Sequence, residues 1–288
     1  MTSYYEYGYY TNQPGITNHC TRLRVCYYGV VFVMFFTAVA HAAEPGISVS
    51  LSPYVLGYIG VVPITSTLVT AWFSILLLFS FAWLLRRRLA LVPGHVQSLV
   101  EMGIGGVYDY IAETLGGKKY ADRYFPIIFT IFIFILTFNW VGLIPGVGAF
   151  GSYDESGSLI PWLYPSATDI NMTIGLAIVS FVTIQLAGVI GIGLWKYIGK
   201  FINFSSPLGF AIGLIELVSE LARLIAFSFR LFGNIFAGKV LLLVVFFFAP
   251  YIAPIPIYGY EIFVGLIQAV VFAILTLFFI RVAIEEPH

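Results

Sequence analysis

Long apolar runs, separated by short polar segments, fill most of the chain and predict helices that cross a lipid bilayer. Such a helix needs about 20 consecutive apolar residues. The runs that reach this length predict five membrane spans, at residues 61–85, 126–145, 170–195, 208–250 and 261–280. Because the fourth run is about twice as long as an upright crossing, we expect a strongly tilted, membrane-embedded helix that forms a long hairpin with the fifth.

Residues 93–125 differ from these runs, since apolar and charged positions are mixed there. This pattern predicts an amphipathic helix that lies on the membrane surface and is followed by a loop. The basic run 86–88 follows the first span, whereas the loop 146–169 has acidic residues but no Lys or Arg. Since Lys and Arg favour the cytoplasmic side, the basic run is expected inside and the loop outside. The predicted fold class is an all-α integral membrane protein.

The composition agrees with a membrane protein and excludes several functions. Hydrophobic residues make up 60% of the chain and charged residues 10%, whereas soluble domains carry about 25% charged residues. The formal net charge is zero, which gives no indication of a nucleic-acid partner. Cys20 and Cys26 form no metal-ligand cluster and the four histidines are scattered, so we expect neither a metal nor a cofactor.

Residues 1–45 are predicted to form a separate N-terminal part, ahead of a membrane domain at 46–288. The first 26 residues are rich in tyrosine and predict an irregular surface arm. A basic flank, a short apolar run and Ala40-His41-Ala42 then resemble a signal peptide with its cleavage site. A retained hydrophobic segment explains the same pattern, and both interpretations stay open.

The fourth span contains charged residues in an otherwise apolar run: Glu216, Glu220, Arg223, Arg230 and Lys239. A charge at the centre of a membrane helix costs about 2.5–3.5 kcal/mol, so charges retained there are expected to be functional. An alternative is a set of ion pairs that only hold helices together, such as Glu216 with Arg223. In the fifth span, Glu261 and Gln268 are seven positions apart and share one face.

The polar residues of the fourth span define two faces of one helix. At about 100° per residue, four positions lie within about 40° of Arg230: Glu216, Ser219, Arg223 and Asn234. Lys239 falls on the opposite face. Gly233 and Gly238 remove side-chain bulk near Arg230, which predicts that another helix approaches closely there.

The segment FRLFGNIFAG at residues 229–238 closely resembles the signature of subunit a of F-type ATP synthases, the stator half of a rotary proton channel. Further matches follow in the family's order: VPG after the first span, FNW near the end of the second, PSATDINMT at the start of the third, GLIELVSELAR before Arg230, and FVGLIQAVVFAILTLFF in the fifth. The resemblance covers roughly residues 50–288.

The resemblance implies that Arg230 is the essential stator arginine, with Asn234 beside it in the motif and Gln268 facing it from the last helix. It also implies polar positions of two aqueous half-channels, at Glu216, Ser219, Asn139 and Asn171. Two positions depart from the family, since many members have glutamate at Lys239 and some have histidine at Glu261. We therefore expect Glu261 to act at the inlet, with Lys239 as its cationic partner.

A guanidinium does not lose its proton under working conditions, so Arg230 is predicted to be a counter-ion for the carboxylates of the c-ring. The resemblance implies that this contact couples ion flow to rotation, and that the peripheral stalk subunit b and the lipid bilayer are further partners. No catalysis is expected in this chain, which has no P-loop pattern GxxxxGK[ST]. Both protons and sodium ions stay open as the carried ion.

The resemblance also implies an energy-coupling membrane, and the signal-like start favours a bacterial plasma membrane over a mitochondrial inner membrane. A secondary transporter or ion channel is the main alternative, although the sequence has no internal repeat of the kind that many transporters show. A membrane enzyme is disfavoured because no nucleophile–base pair is evident. A purely structural subunit needs no arginine deep in the membrane.

Overall fold

A computed structural model describes residues 53–88, 94–153, 159–201 and 207–285. The predicted N-terminal arm and signal-like segment lie outside the described residues, and the boundary at residue 45 stays a prediction. The elements in chain order are β1 (Val55–Ile59), β2 (Val62–Thr65), α1 (Ser66–Arg88), α2 (His95–Thr114), α3 (Lys118–Gly142), β3 (Gly151–Tyr153), β4 (Leu159–Pro161), a 3₁₀ turn (Ser166–Thr168), α4 (Ile170–Ile192), α5 (Leu194–Phe201), α6 (Pro207–Phe248) and α7 (Pro254–Ile284).

Within the described residues, five helices are long and apolar enough to cross a membrane: α1, α3, α4, α6 and α7. The all-α membrane fold is thereby confirmed. Helix α6 is one continuous helix of 42 residues, which is roughly 63 Å at 1.5 Å per residue. The fourth run therefore does not split into two short upright helices, and α6 forms the predicted long hairpin with the 31 residues of α7.

The start of the first span was predicted wrongly, because residues 61–65 belong to a β-hairpin and not to a helix. Strands β1 and β2 pair in antiparallel register across a turn at Gly60, whose φ of +64° favours glycine. The helix then begins at Ser66 and runs through the basic residues to Arg88. A second small hairpin, β3 with β4, lies in the loop between α3 and α4.

Two other helices begin earlier than predicted, because prolines were interpreted as helix breaks. Helix α3 begins at Lys118, directly after the Gly116–Gly117 turn, and includes Pro126 in its interior. The predicted surface helix is correspondingly shorter, at His95–Thr114. Helix α7 begins at Pro254, because proline is tolerated in the first turn, where backbone N–H groups have no partner in the helix.

The third span ends earlier than predicted, at Ile192. Gly193 has a φ of +94° and separates α4 from the short helix α5. The start of α4 agrees with the prediction, and Asp169 caps it by accepting a hydrogen bond from the Asn171 backbone N–H at 2.9 Å. The lysines of residues 194–201 therefore lie on a separate helix that turns back toward α6.

Helix α7 lies at the centre of the fold and packs against α3, α4 and α6. Phe227 of α6 and Phe272 of α7 are both buried, with ring centroids 4.8 Å apart. Hydroxyl pairs add links along α4: Thr173 to Ser228 at 3.3 Å and Ser180 to Thr276 at 2.7 Å. Such interhelical hydrogen bonds stabilise membrane bundles, where lipid is as apolar as the helices and burial alone gives little.

The α5–α6 contact predicts a stability difference between two glycines of one helix. A Cβ atom on Gly213 would overlap the backbone carbonyl of Phe201, whereas a Cβ on Gly233 would meet nothing within 4 Å. Gly213→Ala should therefore lower the apparent Tm of the purified full chain in detergent, since overpacking costs about 1–3 kcal/mol. Gly233→Ala is the matched control and should leave it unchanged. Equal Tm values for the two variants would contradict this packing.

Candidate functional site

Polar side chains from α3 and α6 form hydrogen bonds with α7 near its middle. Asn234 Nδ2 on α6 donates to Gln268 Oε1 at 2.6 Å. One turn earlier on α7, the carbonyl of Gly265 accepts a hydrogen bond from Asn139 Nδ2 of α3 at 2.9 Å. The structure therefore places Gln268 against Asn234, whereas Arg230, which the resemblance implies to face Gln268, is exposed and forms no hydrogen bond with it in the described part of the chain. Gln268 Nε2 and Asn139 Oδ1 are buried and have no hydrogen-bond partner among the described residues.

Glu261 continues the same stripe of α7 and is buried against α6. Its side chain is only 4% exposed, and a Cβ atom on Gly238 would overlap its carboxylate. Gly238 therefore makes room for Glu261, so its expected role in opening a surface beside Arg230 is corrected. Gly233, by contrast, faces open space. A side chain at position 238 would require the Glu261 carboxylate to move off the α6 backbone.

The ammonium of Lys239 contacts an aromatic ring rather than Glu261. Lys239 Nζ lies 3.1 Å from the centroid of the Tyr164 ring. It is buried without a hydrogen-bond partner in the described part of the chain, and no ion pair links it to Glu261 there. The expected direct pairing of Lys239 with Glu261 is therefore not formed. Sequence reasoning missed Tyr164, which lies outside the spans and in no recognised motif.

Arg230 points away from the rest of the chain. Its side chain is exposed, and none of the residues described here accepts a hydrogen bond or forms an ion pair with it. Ala226 and Ala237, which lie within about 40° of Arg230 on α6, are exposed and small. Small side chains of this kind allow another helix to approach closely.

The remaining predicted residues lie elsewhere. Glu216 forms an ion pair with Lys200 of α5 at 3.0 Å, not with Arg223. Ser219 Oγ donates to the carbonyl of Ile215 at 2.8 Å and is otherwise exposed. Along α6, Glu216 is 23 positions before Lys239, or roughly 34 Å. The helix therefore carries separate polar groups near its two ends, with Arg230 between them.

Asn171 lies at the start of α4, beside its capping residue Asp169. The side chain of Asn171 is exposed. Asp169 also accepts a hydrogen bond from Thr67 Oγ1 of α1 at 2.9 Å, which ties the start of α4 to α1. The structure thus places Asn171 at the loop end of the bundle, apart from Glu216 and Ser219.

A buried network on α6 was only partly foreseen from the sequence. Arg223 Nη1 donates to both carboxylate oxygens of Glu220, at 2.8 and 2.9 Å. Gln185 Nε2 of α4 donates to Glu220 Oε2 at 3.0 Å, and Tyr197 Oη of α5 donates to Gln185 Oε1 at 2.5 Å. The Arg223 Cζ atom lies 3.7 Å from the ring centroid of Phe279 on α7. This network joins four helices.

The two charges of this network, on Glu220 and Arg223, form an ion pair with each other. Burial, with Glu220 beside it, raises the pKa of the Tyr197 phenol to about 12, so that Tyr197 remains a hydrogen-bond donor at physiological pH. The i, i+3 spacing of Glu220 and Arg223 was visible in the sequence. Gln185 and Tyr197 gave no such signal, since their roles depend on how α4, α5 and α6 pack.

The family model described as "ATP synthase A chain" matches residues 68–281. The chain belongs to the ATP synthase A chain family. The match includes every residue of the α6–α7 site, from Asn139 on α3 to Gln268 on α7. Family membership confirms the resemblance to subunit a of F-type ATP synthases, and with it a multi-pass membrane protein that is a non-catalytic subunit.

Curated relatives are similar over most of their length. The chain is 32% identical over 228 residues to "ATP synthase subunit a" of Moorella thermoacetica, which covers 79% of this chain and 94% of the relative. It is 36% identical over 212 residues to "ATP synthase subunit a" of Campylobacter jejuni, with 72% and 85% covered. "ATP synthase subunit a 1" of Pelobacter propionicus is 33% identical over 219 residues. These bacterial relatives support an energy-coupling membrane.

The buried network predicts a non-additive effect of charge removal. Arg223→Gln leaves the Glu220 carboxylate buried without its cation, which costs about 3–5 kcal/mol, and should lower the apparent Tm strongly. Adding Glu220→Gln should recover part of that loss, because no buried charge then remains unpaired. Lys200→Gln, which breaks the half-exposed pair with Glu216, is the control and should cost at most about 1 kcal/mol. Additive losses at positions 220 and 223 would contradict a coupled pair.

Proposed function

We propose that the chain is the stator half of a rotary ion channel, in which α6 presents Arg230 to a c-ring that carries one carboxylate per subunit. The observation that carries this proposal is the outward position of Arg230. It is an exposed guanidinium with no partner among the described residues, within a 42-residue apolar helix. A charge in that position needs an anion from another chain, because a lone cation in the membrane is costly.

The chemistry of arginine fits a counter-ion and not a proton carrier. Its guanidinium stays protonated, so it stabilises the ionised form of each ring carboxylate that passes. The ring carboxyl group releases its proton to one half-channel as it approaches Arg230 and passes the arginine in the ionised form. It takes up a proton from the other half-channel before it re-enters the lipid-facing part of the ring in the neutral form. The same fixed positive charge keeps protons from crossing directly between the two half-channels, and flow is therefore coupled to rotation.

The outer half-channel is proposed to run between α3, α6 and α7. Glu261 is its proton-exchanging group, and Asn139, Gln268 and Lys239 line it. Three buried polar atoms support this assignment, since Lys239 Nζ, Gln268 Nε2 and Asn139 Oδ1 have no hydrogen-bond partner among the described residues. Buried polar groups of this kind are usually satisfied by water. Asn171, at the start of α4, is proposed to lie at the entrance.

The inner half-channel is proposed to open at the other end of α6, beside Glu216 and Ser219. Both side chains are exposed or half-exposed, and Lys200 beside them marks the cytoplasmic side by the bias of basic residues. Asn234, hydrogen-bonded to Gln268, separates this end from the outer groups. An ion leaving the ring there has a polar path along the face of α6 that also carries Arg230.

The family implies further partners that belong to the same proposal. These are the peripheral stalk subunit b, the lipid bilayer, and protons or sodium ions as the carried species. The bacterial relatives and the signal-like N-terminal sequence favour a bacterial plasma membrane. A secondary transporter is disfavoured, because Arg230 faces outward and not into a solute cavity between helices of this chain.

Arg230→Ala should abolish coupled ATP synthesis while the complex still assembles, because an exposed side chain contributes little to folding. Passive proton leak should rise, since the barrier between half-channels is lost. Arg230→Lys should rescue poorly, because a lysine enclosed against the ring can lose its proton and lacks the planar fork. Synthesis and leak are measured in vesicles with an imposed gradient, at equal amounts of assembled complex.

Arg281→Ala is the matched control, since it removes an equal charge from an exposed pair with Glu285. It should leave coupled synthesis near normal. Near-normal synthesis in Arg230→Ala would overturn the proposed function.

Glu261→Gln should lower proton flux from the outer side by about tenfold or more, because an amide cannot exchange the proton. Lys239→Gln should retain more of the flux, since the lysine ammonium is not bonded to that carboxylate. Flux from each side is compared in the two variants, with the exposed Glu285→Gln as a control. Full flux in Glu261→Gln would show that water alone serves the inlet.

A further inference from the structure

The position of the Lys239 ammonium raises a question that the proposed function does not answer. Glu261 lies against Gly238, the neighbour of Lys239 in sequence, yet the Lys239 ammonium lies on the face of the Tyr164 ring. The four-carbon lysine stem is flexible, and the sequence predicts Glu261 as its partner. The cation lies instead on the aromatic ring.

Tyr164 is held firmly in place by contacts on both sides. Its backbone N–H donates to Thr70 Oγ1 of α1 at 2.9 Å, and Thr70 in turn donates to the carbonyl of Ser66 at 3.0 Å. The Tyr164 ring packs edge-on against Tyr54, with centroids 5.3 Å apart. The next residue, Pro165, lies against Gly142 at the end of α3, where a Cβ atom would be 3.0 Å from the proline ring. These contacts therefore hold the Tyr164 ring in position against Lys239 of α6.

The ring offers a π face and not a second ion. Burial, with Tyr54 beside it, raises the pKa of the Tyr164 phenol to about 12, so the side chain is neutral at physiological pH. A cation over an aromatic face is attracted without a proton transfer and without an ion pair. The ammonium thus gains a partner that leaves every carboxylate free.

A direct ion pair between Lys239 and Glu261 would have the opposite effect. In a site shielded from water, the cation would hold the carboxylate in its ionised form. A carboxylate locked in that form takes up protons poorly and cannot serve as an inlet group. Separation of the two residues therefore favours proton uptake by Glu261.

We propose that Tyr164 is a positioning residue of the outer half-channel: its ring holds the Lys239 ammonium away from Glu261 and thereby keeps the carboxylate available for protons. This inference rests on the proposed function, in which Glu261 is the inlet group. It gives the outer loop between α3 and α4 a role in ion flow, and it explains how a lysine is tolerated at position 239.

The test compares Tyr164→Leu with Tyr164→Phe in the assembled complex, in reconstituted vesicles. Leucine removes the π face, so proton flux from the outer side should fall by about 2- to 30-fold, the range that corresponds to a lost cation–π contact. Phenylalanine keeps the face and should retain the flux. Tyr153→Leu, at an exposed tyrosine of the same loop, should change nothing.

Repeating the test in the Lys239→Gln variant distinguishes a positioning role of Tyr164 from a merely structural one. Tyr164→Leu combined with Lys239→Gln should have the same flux as Lys239→Gln alone, because no cation is left to bind Glu261. Equal losses from Tyr164→Leu in both backgrounds would overturn the inference, as would normal flux in Tyr164→Leu or an equal loss in Tyr164→Phe.

The same vesicles distinguish failure of this inference from failure of the proposed function. If Arg230→Ala abolishes synthesis and Tyr164→Leu is normal, only the role of Tyr164 is refuted. If Arg230→Ala retains synthesis, the assignment of the whole channel is wrong.

Discussion

A charge inside a membrane is costly unless it has a partner, and α6 carries five of them. Glu216 pairs with Lys200, and Glu220 pairs with Arg223. Lys239 lies on an aromatic ring. Arg230 alone of these five has no partner among the described residues. Four of the five charges of α6 thus have a partner there, and the fifth is exposed.

The other helices hold α6 in the position in which Arg230 is exposed. Helix α7 packs against α3, α4 and α6, and its stripe of Glu261, Gly265 and Gln268 meets polar groups from α3 and α6. The network at Glu220 links α6 to α4, α5 and α7 at the opposite end. Hydrogen bonds therefore hold α6 on both sides of Arg230, at Glu220 and at Asn234, while Arg230 itself stays exposed.

Much of this arrangement was predictable from the sequence, because apolar length determines which segments can span a bilayer. The five spans were predicted, and so was the polar stripe around Arg230, since helical periodicity alone fixes which residues share a face. Helix starts near Pro126 and Pro254 were predicted wrongly, because proline is compatible with a helix in some positions and local sequence does not reveal which. The β1–β2 hairpin was missed because a short β-branched run next to a membrane helix looks like its first turn.

Contacts between distant segments were harder to predict, since they depend on packing. No pattern in the sequence links Lys239 to Tyr164, which is 75 positions earlier in the chain. The close fit of Glu261 on Gly238 is likewise a product of how α6 and α7 cross. The residue types were recognisable from the family resemblance, but their partners were not.

The central claim is that Arg230 finds its anion on another chain. A cryo-electron microscopy structure of the chain assembled with its c-ring tests this directly, by the distance from the Arg230 guanidinium to the ring carboxylate that passes it. The account predicts that this carboxylate comes within reach of an ion pair or of one bridging water, with the small residues of α6 against the ring. A guanidinium that faces lipid in the assembled complex, or that turns inward to pair with a carboxylate of its own chain, would contradict the account.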